Sequence, residues 1–318
     1  MGKFIISLDF ELHWGSVEKW DLNYMKSYFL NTRESIPHVL SIFENSGIKA
    51  TWATVGYLFA KDKEQLLSFT PLNRPLYNNF ELSSYNIIDS IGNNETEDPF
   101  HYAYSIISKI LNTNGQEIAS HTFSHFYCNE FGQTANQFEE DLKSAQLLAR
   151  ENFGIQLKSL VFPRNQFNSE YVNVAANAGF KVVRSNPNIW VWKDTKGKLV
   201  KFARAVDTLV SISKPLSFRN EDIKTSNSVT LLPSSRFLRP YKSNEKLIQN
   251  TKIIRIRNEM TYAAKNNRNY HIWWHPHNFG NDVLINLNQL KEIIRHYHFL
   301  NKKYGFESAN MADFELLL

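Results

Sequence analysis

The chain has a single cysteine, Cys128, in 318 residues. An intrachain disulfide is therefore excluded, and the scarcity of cysteine suits a reducing compartment. Long apolar runs are also missing, since none reaches the ~18 residues a membrane-spanning helix requires. The opening MGKFIISLDF holds an apolar run too short for a secretory signal and leads straight into acidic residues, so a cytoplasmic location is expected. No internal repeat or low-complexity tract appears. Lysine and arginine are scattered without a basic block despite a net charge of +5, so no nucleic-acid motif is present. That mild basicity suits an anionic substrate such as a phosphate-linked sugar, and equally an ordinary soluble protein.

What is present is a globular balance of 42% hydrophobic and 21% charged residues. Aromatic residues reach 14%, a surplus that fits carbohydrate faces as well as cores. The order of elements is the stronger signal. KFIISL (3–8) reads as a buried strand, a helix is predicted over about 32–45 opening at Thr32 and stopping at Gly47, and IKATWATVGYLF (48–59) reads as a second strand. Strand, helix and strand within sixty residues argue for a parallel βα repeat.

The repeat resumes with a helix near 100–112, a strand at QEIAS, a helix near 134–152, a strand at KSLVFP, a helix near 169–178 and a strand at FKVVRS. A long helix near 243–266, the strand YHIWW (270–274) and a helix near 283–303 close the chain. Two irregular stretches, about 60–100 and 186–242, read as insertions over one face. The expectation is one domain over 1–318, an α/β repeat closed into a barrel with two long loop insertions.

In such an architecture the loops after the strands gather at one face, which makes strand-end residues informative. Asp9 and Glu11 follow the first strand, and period-2 alternation puts both carboxylates on one side, where a cation would offset their repulsion. A lone D-x-E is more often a pair of capping or solvated acids. His121 and His125 follow QEIAS with a spacing that brings two imidazoles together if a helical turn begins there, within the range of zinc-type sites. A structural histidine pair is the bland alternative. Arg164 follows Pro163 at the end of KSLVFP and can fork onto a carboxylate or anion, or simply sit in a surface turn. His275 and His277 follow YHIWW, and one of them can exchange protons near neutrality, unless both are core histidines satisfied by backbone groups. The conjunction at four strand ends outweighs each signal taken alone.

These residues resemble the polysaccharide deacetylase superfamily, also called the NodB homology domain or carbohydrate esterase family 4. SLDFE stands where that family has its acidic first motif, GIKATWATVG is similar to its second-strand pattern, HTFSH fits its H-[ST]-x-x-H metal motif, FPRNQ falls at its arginine/proline motif, and WWHPH resembles its late histidine motif. The resemblance implies a distorted (β/α)7 barrel, a divalent metal ion and hydrolysis of an N-acetyl group on a sugar. It implies Asp9 as general base, Glu11, His121 and His125 as metal ligands, His275 as proton donor to the departing amine, Arg164 as the partner that orients Asp9, and Asp207 as the group that holds His275 in its protonated tautomer.

Zinc is the expected metal, with cobalt, nickel, iron and manganese compatible with the same ligands. Among relatives the chain looks most similar to deacetylase-like proteins of surface-polysaccharide (O-antigen or capsule) clusters, acting on an N-acetyl or N-formyl amino sugar that is nucleotide-, lipid- or glycan-linked. Two departures stand out. Phe10 separates the acids and the second is glutamate, and Pro163 precedes Arg164 instead of following it. A metal-retaining but inactive glycan-binding protein, or a hydrolase of cyclic amides or imides, are the alternatives. Trp190, Trp192, Tyr85 and Phe100 in the insertions are candidates for stacking on a sugar. Oligomeric state is not legible.

Overall fold

In the computed structural model, which describes residues 1–187, 215–243 and 249–315, the first strand, β1, runs over Lys3–Phe10. Its residues alternate between two apolar environments, as a strand buried on both faces must. Phe4, Ile6, Leu8 and Phe10 belong to a large core shared with the helices. Ile5 instead joins a small interior cluster with Ala53, Ala119, Val161, Val182 and Leu232. Ser7 and Asp9 follow Ile5 on that inner face, and both are buried. Burying a large apolar side chain stabilises by roughly 1.5–3 kcal/mol. The outer layer, rich in Phe, Trp and Tyr, therefore supplies most of the stability, and the small interior leaves room for polar side chains.

The remaining strands are β2 (Ala50–Thr54), β3 (Gln116–Ser120), β4 (Ser159–Leu160), β5 (Val182–Ser185), β6 (Lys224–Ser226), β7 (Val229–Pro233), β8 (Arg236–Phe237), β9 (Tyr270–Trp274) and β10 (Glu307–Ala309). They form one sheet in the order β6-β7-β5-β4-β3-β2-β1-β9-β8, with β10 pairing on β1. Every pairing is parallel except the β6–β7 hairpin. The sheet curls on itself between β7 and β8. Ser234 donates its backbone N–H to Ser185 of β5 at 2.8 Å, and the next residue, Ser235, donates to His271 of β9 at 2.7 Å. Consecutive residues thus bridge strands from the two ends of the path, so β7 and β8 share one place in the ring. The result is the distorted seven-place barrel that the family resemblance implies, with helices outside it.

Those helices are α1 (Leu22–Asn45), α2 (Lys63–Phe69), α3 (Tyr104–Leu111), α4 (Ala135–Phe153), α5 (Ser169–Asn177), α6 (Gln249–Lys265) and α7 (Val283–Tyr304). None of the described helices is long and apolar enough to cross a membrane. Helix α4 shows why the boundaries fall where they do. Thr134 and Gln137 form a reciprocal capping box, and Gly154 ends the helix at φ 65°.

Three expectations need correction. Helix α1 begins ten residues before Thr32, because Asp21 caps it by accepting from Asn23 N–H and Met25, Tyr28 and Phe29 already pack inward. Thr32 is an interior residue whose hydroxyl bonds the Tyr28 carbonyl at 2.8 Å. The second irregular stretch contains β6, β7 and β8 in its described part, so VTLLP is a barrel strand. The chain also adds β10 after α7, a strand the sequence reading missed.

The loop after β3 leans on the turn after β2. Gly56 donates its N–H to Thr122 at 2.8 Å and Tyr57 to Phe123 at 3.1 Å. A Cβ at Gly56 would stand 2.7 Å from the Phe123 Cα, a backbone atom that cannot swing aside. Gly56→Ala is expected to cost about 1–3 kcal/mol in urea unfolding. A loss below about 0.5 kcal/mol, the size of a neutral surface change, would show that this loop yields.

Candidate active site

All the parallel strands present their carboxyl ends on one face, and the polar side chains of the barrel collect there. Asp9, one residue before the end of β1, points inward and is buried. The strand stops at Phe10. Glu11 has left extended geometry (φ −121°, ψ −30°), and Leu12 at φ 48° turns the chain into a short 3-10 helix over Leu12–Ser16. Room for the longer glutamate comes from Gly15, where a Cβ would lie 1.9 Å from Glu11 Oε2.

The H-T-F-S-H segment does not begin a helical turn as the spacing suggests. It is a loop with Thr122 at φ 63° and His125 at φ 58°, conformations that L-residues adopt only when the surroundings hold them. Asp141 of α4 holds them, accepting the N–H groups of Phe123 at 2.6 Å and Ser124 at 3.0 Å together with the Ser124 hydroxyl. Burial, partly offset by those bonds, pushes the Asp141 carboxyl up to about 6. Both imidazoles then meet Glu11. His121 Nε2 lies 2.9 Å and His125 Nε2 3.3 Å from Oε1.

The second nitrogen of each ring is also engaged. His121 Nδ1 lies 2.8 Å from the Val161 carbonyl, to which it can only donate, and His125 Nδ1 is 3.0 Å from the Tyr127 hydroxyl. In the neutral ring that donation leaves His121 Nε2 as a bare lone pair facing a carboxylate oxygen. Two acceptors at 2.9 Å repel unless a metal ion or a proton lies between them. Glu11 and the two histidines offer ligand atoms all within 4.8 Å of one another. The donor set therefore fits a divalent metal ion held by N2O ligation. Burial alone would raise the Glu11 carboxyl, but His275, His121 and His125 outweigh it and hold the group well below its ordinary value.

His275 stands at the end of β9, with Nε2 3.6 Å from Glu11 Oε1 and 3.8 Å from Asp9 Oδ2. Its side chain is 25% exposed against 4–5% for the two acids, so it faces the open side of the site. His277 lies deeper, stacked on His275 at 4.9 Å between ring centroids. Burial, then the neighbouring His275, lowers His277 to about 3.

The arginine assignment is overturned. Arg164 turns away from Asp9 and bonds Glu18 at 2.5 Å and Glu130 at 3.3 Å, its guanidinium 4.0 Å from the centre of the Tyr127 ring. The reason is local. Arg164 and Asn165 both lie at positive φ after Pro163, which sends the arginine to the rim. The partner of Asp9 is Arg184, on the inner face of β5, which grips both carboxylate oxygens at 2.5 and 2.7 Å. Arg184 also donates to Ser7 at 3.1 Å and to Asn165 at 2.9 Å. Burial would raise the Asp9 carboxyl, but Arg184, assisted by His121 and His275, holds it below the usual range. The available signal was an arginine inside an otherwise apolar strand, KVVRS.

Two other predicted residues, Tyr85 and Phe100, are not at this centre. Asp207, Trp190 and Trp192 lie outside the described residues. Tyr85 packs edge-on against Tyr57 with the Arg74 guanidinium over its ring, and Phe100 packs on the main core. Both serve packing.

A carboxylate and paired imidazoles thus collect at the carboxyl ends of the strands of a parallel barrel, where such a fold carries its active site. The polysaccharide deacetylase family profile matches residues 20–183, more than half of the chain. The chain belongs to that family, which supports a deacetylase-type hydrolase. The matched segment includes His121, His125 and Arg164 but neither the β1 acids, Arg184 nor His275.

Among solved structures, a protein from Mycobacterium smegmatis assigned as a polysaccharide deacetylase superposes with a TM-score of 0.63 at 14% identity, covering 99% of this chain and 90% of its own. A GH57-type branching enzyme from Pyrococcus horikoshii gives a TM-score of 0.53 at 8% identity, covering 98% and 69% respectively. A family 4 carbohydrate esterase from Streptomyces lividans gives a TM-score of 0.44 at 10% identity, covering 98% and 92%. For the first two of these the likeness is one of fold. No curated protein sequence matches the chain.

Arg184→Met should cost about 3–5 kcal/mol at pH 7, because it leaves a buried carboxylate unpaired. The two proteins should also respond oppositely to acid. In the native chain the lowered Asp9 carboxyl contributes stability that is lost as pH falls through its folded value. In the variant the unpaired, buried carboxyl rises above its unfolded value of about 4, and stability is gained as pH falls through that raised value. Urea unfolding should show the gap between the proteins narrowing from pH 7 towards about pH 5. A gap independent of pH would mean that Arg184 does not govern the charge of Asp9.

Proposed function

We propose that the protein is a metal-dependent N-deacetylase that removes an N-acetyl or N-formyl group from an amino sugar of a surface polysaccharide such as O-antigen or capsule. One observation carries this reading. Glu11, His121 and His125 converge on one point, and an arginine-clamped Asp9 and a partly exposed His275 flank it. A pure glycan-binding module requires neither flanking group. The D-x-E and FPRNQ variants of the family motifs support the surface-polysaccharide assignment, and the scattered positive charge suits an anionic, nucleotide- or lipid-linked carrier.

A divalent ion, zinc foremost, would supply Lewis acidity towards a water and the acyl oxygen. Glu11, His121 and His125 are the residues that would hold it. Asp9 accepts the proton of the attacking water. It is available as a base because Arg184 keeps it ionised and fixes its orientation, with both oxygens held from the wall side. His275 delivers a proton to the amide nitrogen, so that a neutral amine departs and not an amide anion. Its 3.6–3.8 Å separation from both acids keeps it at the centre while its exposed edge meets the substrate. The products are a carboxylate and a free amino sugar.

His121→Ala is expected to lose bound metal and acetate release together, whereas Asp9→Asn should keep the metal and lose turnover by at least about 100-fold, the scale of a general-base contribution. Metal content by elemental analysis and acetate release from nucleotide-activated N-acetyl sugars measure both. An Asp9→Asn protein that deacetylates normally removes the assigned base. Tight metal and sugar binding by the native protein without acetate release would identify it instead as a binding protein.

A further inference from the structure

His277 has no place in the chemistry above, yet it is buried against the centre. Its ring is enclosed by Trp20 at 5.4 Å, Tyr28 at 6.1 Å and Phe29 at 6.3 Å between centroids, with His275 stacked on one face. Its carbonyl is fixed by Gly280 N–H at 2.9 Å, so the backbone is held as firmly as the ring. Nδ1 is fully buried and has no hydrogen-bond partner. A buried polar nitrogen left unpaired costs about 1–3 kcal/mol. This one lies 3.9 Å from Glu11 Oε2. That oxygen is not the one facing the paired histidines, since both of them meet Oε1.

We propose that His277 is a positioning residue for the metal centre. Its Nδ1–H donates to Glu11 Oε2 and holds the carboxylate with Oε1 turned towards the ion. A small rotation of the carboxylate, as Oε1 engages a cation, closes the 3.9 Å gap to a hydrogen bond. The geometry favours this role over direct ligation. Among the described residues the ligand-atom sets that lie mutually within 4.8 Å are Glu11 with His121 and His125, and Asp9 with Glu11 and His275, and His277 belongs to neither. The assignment also accounts for glutamate at position 11. The extra methylene lifts the carboxylate off the strand, over Gly15, to where one oxygen serves the paired histidines and the other faces His277. Carboxylates that bind metals are in turn hydrogen-bonded, and loss of such a partner costs about 10–100-fold in metal affinity.

The inference rests on the metal-binding reading of the site, and one experiment separates the two. Zinc and cobalt(II) affinities are measured by chelator competition for the native protein, His277→Phe, which keeps a ring in the aromatic cage without a donor, and His277→Asn, which returns an N–H near the Nδ1 position. Phe should weaken binding by about 10–100-fold, Asn should restore most of the loss, and the visible spectrum of the cobalt form should be the same in all three because the ligand set is unchanged. If Phe binds metal as tightly as the native protein, whatever happens to its melting temperature, the role is wrong. If both variants change the cobalt spectrum, His277 is itself a ligand and the proposal is overturned. Nitrogen-15 NMR of the metal-loaded native protein decides the matter without any variant. A protonated Nδ1 supports donation, and a bare or metal-bound Nδ1 defeats it. Failure of the native protein to bind either metal sinks the metal centre itself, and this role with it.

Discussion

The structure depends on one electrostatic constraint: a carboxylate oxygen and two imidazole nitrogens are held within hydrogen-bond distance in a buried place. His121 spends its Nδ1–H on the Val161 carbonyl, so its other nitrogen offers only a lone pair to Glu11. Such an arrangement is stable only with positive charge between the acceptors, from a metal ion or from a proton that turns His121 into an imidazolium. A second histidine converging on the same oxygen favours the ion. An ion engages the carboxylate and both imidazoles at once, which a proton on His121 alone does not.

Holding those groups in place explains much of the surrounding sequence. The loop carrying both histidines adopts left-handed backbone at Thr122 and His125 and has no regular secondary structure to stabilise it. Its support is external. Asp141 accepts from one side, and the N–H groups of Gly56 and Tyr57 reach it from the turn after β2. Gly15 and Gly56 are needed for closeness and not for unusual φ, since a Cβ at either would collide with the site or with the loop that carries it. The small interior cluster serves the same end. Alanines at positions 53 and 119 leave the barrel open enough for Asp9, Ser7 and Arg184 to lie inside it.

The acids and histidines were legible because each sits at the end of a clear apolar strand, where a core residue is not required. Their convergence followed from the parallel repeat. What the sequence hid was everything whose signal depends on a partner far away in the chain. Arg184 looks like an interruption of a strand until Asp9 is placed opposite it, 175 residues earlier. Strand β7 was lost because it is reached through a long stretch without periodicity, and only its pairing with β5 shows it as part of the barrel. The start of α1 was hidden by Thr32, which has the composition of a cap but spends its hydroxyl on the preceding turn.

The exchange of one arginine for another follows from barrel geometry. β4 and β5 are adjacent and in register, with Leu160 opposite Val183, so the inward residue Arg184 stands one strand over from the segment that carries Arg164. Either strand could deliver a guanidinium to Asp9. A side chain rooted within a strand reaches it with a fixed backbone behind it, whereas Arg164 sits on a turn at positive φ that directs it to Glu18 and Glu130 at the rim. Arg164 is not idle at the rim. It covers the Tyr127 ring and bonds Glu18, and the Tyr127 hydroxyl in turn meets His125 Nδ1 at 3.0 Å. Arg184 lowers the Asp9 carboxyl directly, whereas Arg164 lies against Tyr127, the residue whose hydroxyl meets His125.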